Sequence, residues 1–215
     1  MPRERVGILG GMFDPVHNGH LQVVQQLKSH LKLDRVLLIP CGVPVHKRGS
    51  HASNDSRCAM LELAAADCDW LAVDRREVDS EAPSWSFNTL NALRTELPAS
   101  TLYFVMGADA FLSLPSWYRW EELPAVAHLV VSTRPGYSID VEALAEPLAE
   151  FCRRHAVQHP DDMLREPAGC LYFAPLDTAL LSSTAVREQI RQGECLDDVL
   201  PPRVAAYIAE QQLYL

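Results

Sequence analysis

A chain of 215 residues with 48% hydrophobic residues is long and apolar enough to bury one sizeable core. Charged residues at 22% and aromatics at 7% fit a folded enzyme and exclude a disordered chain. The formal net charge of −9 argues against nucleic acid, which calls for a basic face, yet a small phosphate ligand can be held by locally gathered basic groups and helix N-termini.

Along the chain, the opening MPRERVGILGG turns polar too early for a signal peptide, and no stretch approaches the ~20 apolar residues that span a membrane. The expected location is therefore cytoplasmic. Val6–Leu9 reads as a buried strand ending in Gly10-Gly11. Gly19–Leu31 reads as a helix, with Leu21, Val24, Leu27 and Leu31 at steps of three and four. A second strand, Val36–Ile39, stops at Pro40. The polar segment Gly42–Asn54 carries His46, Lys47, Arg48 and His51 and is a candidate mobile loop over a phosphate site. Asp55–Cys68 is a helix, and Leu71–Val73 a short strand that could run on irregularly to Val78. Phe87–Leu97 is a helix and Leu102–Met106 a strand ending at Gly107. His128–Ser132 is a strand closed by the Arg134-Pro135-Gly136 turn.

Val141–His155 reads as a helix broken at Pro147, and Leu171–Phe173 as the last clear strand. Thr184–Gln192 is a helix stopped by Gly193, and Arg203–Leu213 a helix opened by Pro201-Pro202. The six cysteines are scattered without a CxxC pair or zinc spacing and are expected as reduced thiols. Strands alternating with helices predict an α/β fold with a doubly wound, mostly parallel sheet. One domain over residues 1–215 is expected, with the C-terminal helices 184–215 packed on it. Nothing in the pattern specifies an oligomer.

Chemistry gathers first in Gly10–His20, GGMFDPVHNGH. Gly10 and Gly11 follow a buried strand and let backbone N–H groups approach a ligand. Neither the dinucleotide GxGxxG nor the GxxxxGK[ST] phosphate loop is present. Asp14-Pro15 sets a turn, and His17 and His20 lie three apart at a helix start, so both can face one side. Two imidazoles at a positive helix end suit a polyphosphate and its five-coordinate transition state. Gly19 between them leaves room for the phosphates to approach the backbone. A zinc reading of HxxH lacks HExxH and a third ligand.

A second group is Ser182-Ser183-Thr184 with Arg187 in the first turn of the helix that follows. Hydroxyls there either cap N–H groups or bind phosphate oxygens, and a guanidinium forks onto phosphate.

Gly10-Gly11-Met12-Phe13-Asp14-Pro15 followed by His17-Asn18-Gly19-His20 resembles the signature of the HxGH nucleotidyltransferase superfamily. Leu181-Ser182-Ser183-Thr184 with Arg187 resembles its ISSTxxR motif. Three further segments are similar to the bacterial nicotinate-nucleotide adenylyltransferases: Pro44-Val45-His46-Lys47, Ser84–Leu90, and Gly107-Ala108-Asp109 with Leu112 and Trp117. Arg134-Pro135-Gly136 and Tyr207-Ile208 with Leu213-Tyr214 also fit, so the resemblance covers nearly the whole chain. Met12 stands where that family usually has Thr, Val45 for Pro, Trp85 for Tyr and Ser86 for Thr.

The resemblance implies a Rossmann-like fold and adenylyl transfer from ATP to nicotinate mononucleotide, yielding deamido-NAD and pyrophosphate in NAD biosynthesis. It implies catalytic roles for His17, His20, Lys47 and Arg187. ATP would be held by Gly10, Gly11, Met12, Phe13, His17, His20, Gly107, Asp109, Ser182, Ser183, Thr184 and Arg187. The mononucleotide would meet His46, Lys47, Trp85, Ser86, Trp117, Tyr118 and Arg134. Among these, Trp117 would stack on the pyridine, Ser86 would face its carboxylate, and Asp109 would hold adenosine ribose hydroxyls. Mg²⁺ would enter on the ATP phosphates, with no metal site of the protein's own. Rival readings are an adenylyltransferase for nicotinamide mononucleotide or pantetheine phosphate, a cytidylyltransferase, a nucleotide sensor without turnover, and a zinc-binding structural protein.

Overall fold

The structure is a computed structural model that describes residues 3–44, 49–133, 139–176 and 181–215. Among the described residues seven strands form one sheet: β1 (Arg5–Gly11), β2 (Arg35–Pro40), β3 (Leu71–Val73), β4 (Thr101–Gly107), β5 (His128–Thr133), β6 (Ala156–Val157) and β7 (Leu171–Pro175). Their hydrogen-bonded order is β3-β2-β1-β4-β5-β7-β6. The pairings β1–β4, β2–β3, β4–β5, β5–β7 and β6–β7 are parallel. Consecutive residues of β2, β4 and β5 are buried, which is what a parallel sheet covered on both faces requires of its apolar runs. The order reverses beside β1, whose register with β4 runs from Arg5↔Thr101 to Leu9↔Val105. In open α/β sheets, ligands bind beyond the C-terminal ends of strands at such a reversal, and β1 ends there in Gly10-Gly11.

The helices are α1 (Asn18–His30), α2 (Asn54–Ala65), α3 (Ser86–Glu96), α4 (Ala108–Leu112), α5 (Leu123–Val126), α6 (Leu148–His155), α7 (Ser183–Gln192) and α8 (Pro202–Glu210). Local chemistry sets their ends. Ser53 caps α2 by accepting from Ser56 N–H, Gly193 stops α7 in left-handed backbone, and Pro201-Pro202 opens α8. The break expected at Pro147 is present, leaving a 3-10 turn at Val141–Ala143 and then α6. β3 stops at Val73 and does not continue toward Val78. Arg76 folds back onto the Asp74 carboxylate, and Asp79 N–H donates to Arg75 O, turning the chain out of the sheet. The two-residue β6 carries no pattern that sequence reading could have found. No helix among the described residues is long and apolar enough to cross a membrane. The six cysteines form no disulfide.

Two compact units are built from interleaved stretches: Met1–Leu9, Leu27–Arg35 and Trp85–Asp177 make one, and Gly10–Gln26, Val36–Ser84 and Thr178–Leu215 the other. The first has a core of Phe104, Leu129, Val130, Val131 and Leu171, braced by Arg94, which donates to the carbonyls of Leu97, Ser100, Val126 and Pro167. The second buries Val16, Val24, Leu38, Met60, Leu61, Val186, Val204 and Ile208, together with a fully buried Arg57.

Candidate active site

After Gly10-Gly11 the chain turns through Met12–Val16 into α1. Phe13 is buried and holds left-handed backbone at φ 48°. Gly11 fits beneath it, since a Cβ there would lie 3.2 Å from the Phe13 ring. The Asp14-Pro15 peptide is cis. His17 immediately precedes α1, and His20 is the helix's third residue. His20 Nδ1 accepts from the His17 backbone N–H at 3.2 Å, the way a third-position side chain reaches back in a capping box. That bond leaves the His20 proton on Nε2, a neutral ring with a donor. The two imidazoles stack at 3.7 Å between centroids and 25° between planes, and Phe13 meets His20 edge-on at 5.0 Å. The expectation that both histidines share one side is met.

Gly19 is enclosed by protein side chains. A Cβ there would sit 3.1 Å from His17 Cε1 and Nδ1 and 3.2 Å from Leu181 Cβ. The space a Cβ would fill at Gly19 is thus bounded by the His17 ring, stacked on His20, and by Leu181. The helix start also offers fewer N–H groups than the sequence suggests. Asn18 N–H donates to Val199 O at 2.9 Å and His20 N–H to His17 O at 2.9 Å.

His17 and His128 are both buried, yet only one is satisfied. His128 Nδ1 accepts from Cys170 N–H at 3.1 Å, and its Nε2 bonds to Glu166 O at 2.9 Å. His17 Nδ1 is enclosed with no partner among the described residues. Such an orphan in a native fold asks for an explanation, and a bound ligand is one. Burial lowers the His17 pKa from 6.5 to about 4, so the ring is neutral at physiological pH. The unfolded chain takes up a proton below 6.5 that the folded chain refuses. Stability contributed by neutral His17 is therefore present above 6.5 and is lost as pH falls toward 4, by about 3 kcal/mol at most. Urea denaturation of the wild type and His17→Gln at pH 7 and pH 4.5 is expected to show a shallower pH dependence in the variant. Equal slopes would contradict the buried, neutral ring.

Asp14, read from sequence as a turn former, proves to be the hub of this unit. Its carboxylate, nearly wholly buried, accepts from His51 N–H at 2.7 Å, Ala52 N–H at 3.1 Å and Tyr214 O–H at 2.8 Å. Its backbone carbonyl accepts from Arg187 Nη1 at 2.6 Å, and that nitrogen lies 4.0 Å from Oδ2. Arg57 holds the other side of the turn, donating to Met12 O at 2.7 Å, Cys41 O at 2.6 Å and Asn54 Oδ1 at 2.6 Å. Met12, the residue that departs from the family pattern, is thus engaged through its backbone. Arg57 was missed because an arginine inside a helical pattern reads as a surface charge.

Ser182 caps α7 by accepting from Ala185 N–H, Ser183 Oγ donates to Pro15 O at 2.9 Å, and Thr184 Oγ1 accepts from Arg187 Nη2. The second motif therefore clasps the first. Arg187 is the fifth residue of α7, beyond the first turn predicted for it, and its Nε has no partner among the described residues.

Gly107, Asp109, Trp85, Ser86, Trp117 and Tyr118 belong to the other unit. Gly107 ends β4 exposed, and a Cβ added there would meet nothing within 4 Å. Gly107 is the N-cap of α4, and Asp109 is exposed in its first turn. Ser86 opens α3 and Trp85 precedes it. Trp85 and Tyr118 lie 5.3 Å apart, Trp117 meets Phe104 edge-on at 6.3 Å, and Tyr118 is 46% exposed. Trp85 and Trp117 are half-buried and Tyr118 is exposed, so each offers some ring surface of the kind that suits a flat ligand, while Phe104 is buried. Sequence reading missed Arg119, whose guanidinium lies 3.9 Å over Phe87 beside this group. Val45, His46, Lys47 and Arg134 lie outside the described residues. Among the described residues no three His, Cys, Asp or Glu side chains gather as a metal cage.

The profile of the cytidylyltransferase-like family matches residues 8–189. A protein of Aeromonas hydrophila named probable nicotinate-nucleotide adenylyltransferase is 43% identical over 214 residues, covering 100% of this chain and 99% of its own. Proteins of the same name from Marinomonas sp. and Escherichia coli O157:H7 are each 40% identical, covering 97% and 96% of this chain and 94% and 97% of theirs. In three dimensions the chain is similar to Plasmodium falciparum nicotinic acid mononucleotide adenylyltransferase complexed with NaAD. The TM-score is 0.72 at 18% identity, covering 99% of this chain and 98% of that one, a likeness of fold.

Proposed function

The chain belongs to the nicotinate-nucleotide adenylyltransferases of the cytidylyltransferase-like family, and from that membership we propose how its residues transfer the adenylyl group of ATP to nicotinate mononucleotide. An oxygen of the mononucleotide phosphate attacks the α-phosphorus of ATP. The bond from that phosphorus to the β-phosphate bridging oxygen breaks, pyrophosphate leaves, and deamido-NAD remains. A phosphate monoester is already anionic near neutral pH, so no general base or covalent nucleophile is needed. Catalysis reduces to alignment and charge stabilisation.

The observation that carries this reading is the pair of stacked imidazoles at the start of α1, one of them buried with an unpartnered nitrogen. Both rings are neutral and act as N–H donors to phosphate oxygens as charge builds on phosphorus. His20 does so through Nε2, because its Nδ1 is held by the His17 backbone. Gly10 and Gly11 give the phosphates close approach to the end of β1. Arg187 offsets the repulsion between the two anions, as does Lys47. On the acceptor side, Trp117 and Tyr118 supply π surface for the pyridine, with Trp85 beside them. Ser86 at the start of α3 meets the pyridine carboxylate through its hydroxyl and nearby backbone N–H groups, which favours nicotinate over nicotinamide. Asp109 holds ribose hydroxyls of adenosine. Mg²⁺ arrives as part of the ATP substrate and neutralises its phosphates.

The test is pyrophosphate release from ATP with a panel of acceptors: nicotinate mononucleotide, nicotinamide mononucleotide and pantetheine phosphate. The reading expects the highest kcat/KM for nicotinate mononucleotide. Turnover confined to either other acceptor, or none with any, would overturn it.

A further inference from the structure

We propose that Tyr214 is a positioning residue of the active site, acting through Asp14 to hold the turn that presents His17 and His20. The inference rests on the adenylyl-transfer reading above. Tyr214 lies in the turn that follows α8, in left-handed backbone at φ 67°. A non-glycine residue holds that conformation at a cost of about 1 kcal/mol or more, so the surroundings must favour it. Leu213 N–H donates to Ile208 O at 3.0 Å and closes the turn. α8 itself is anchored by buried Val204 and Ile208 and by Arg203 paired with Asp67 at 3.1 Å. From this base the Tyr214 hydroxyl donates to Asp14 Oδ1 at 2.8 Å.

The remaining donors to Asp14 come from elsewhere. His51 and Ala52 N–H hold its carboxylate from the segment before α2, and Arg187 holds its carbonyl from α7. Three separate parts of the chain thus converge on a residue three positions before His17. Tyr214 supplies the arm from α8, and burial beside the Asp14 carboxylate keeps its hydroxyl protonated. Without that hydroxyl, the two backbone bonds and the Arg187 bond persist, so the turn still forms. What is lost is a fixed orientation of Asp14 and of the helix start behind it. Small displacements of catalytic groups are costly to rate, since they act only when aligned.

The experiment is Tyr214→Phe, which keeps the ring and removes the hydroxyl. Loss of transition-state alignment predicts a fall in kcat of about tenfold with KM for ATP nearly unchanged. Histidine-selective ¹⁵N NMR of the same variant, without substrates, is expected to show shifts at the His17 amide and the His20 imidazole, which share a hydrogen bond. A tyrosine that serves folding alone would lower the melting temperature and leave kcat and both signals in place, and that result overturns the proposal. The NMR readout stands whatever the acceptor substrate is. If the wild type turns over no acceptor, the reaction is misassigned, while unmoved histidine signals still refute the role of Tyr214.

Discussion

His20→Gln is expected to lower kcat by at least ~10² while stability changes by less than about 1 kcal/mol. Glutamine at the third helical position can still accept from the His17 backbone N–H, as His20 Nδ1 does at 3.2 Å. The cap is retained and the Nε2 donor is lost. The stacked partner of His17 disappears too, along with the edge contact from Phe13. The loss belongs in kcat because the donor matters most when charge builds on the transferring phosphorus. Steady-state pyrophosphate release and urea denaturation on the same preparation check both halves. A folded variant with a near-normal rate would remove His20 from the chemistry.

Asp14→Ala is expected to cost about 3 kcal/mol or more and to abolish measurable turnover. Its carboxylate, itself buried, serves two backbone N–H groups and the Tyr214 hydroxyl in bonds that are buried or part-buried. Removing it strands those donors, each at about 1–3 kcal/mol, and leaves Arg187 without its nearby counter-charge. Asp14→Asn is expected to lose less, because one carbonyl oxygen remains as an acceptor. The measurement is the urea midpoint of both variants against the wild type. An Asp14→Ala protein with wild-type stability would show that the carboxylate is not the hub described.

Much of this was legible in the sequence because the signals were local. Apolar runs between glycines and prolines give strands buried on both faces, and Gly193 and Pro201-Pro202 mark helix ends by backbone chemistry alone. His17 and His20 were legible for the same reason, since a spacing of three at a helix start places two rings together. What escaped was long-range. Asp14 meets Tyr214 across 200 positions and Arg187 across 173, and no periodicity records such partners. Arg57 carries no signal within the helical pattern of α2, yet its guanidinium donates to three acceptors. At Gly19 the sequence says only that a Cβ is unwelcome and does not name the neighbour. The neighbour is His17. The hydroxyls of Ser182, Ser183 and Thr184 likewise could have faced phosphate or protein, and each has a protein partner.

Attack by an oxygen of the acceptor's phosphate on the α-phosphorus of ATP is tested most directly by isotope tracing. Nicotinate mononucleotide carrying ¹⁸O in all its non-bridging phosphate oxygens is incubated with ATP and the enzyme, and both products are weighed by mass spectrometry. The account predicts that deamido-NAD retains every labelled oxygen, one of them now in the bridge, and that pyrophosphate carries none. Labelled pyrophosphate, or the absence of a labelled dinucleotide, would contradict it.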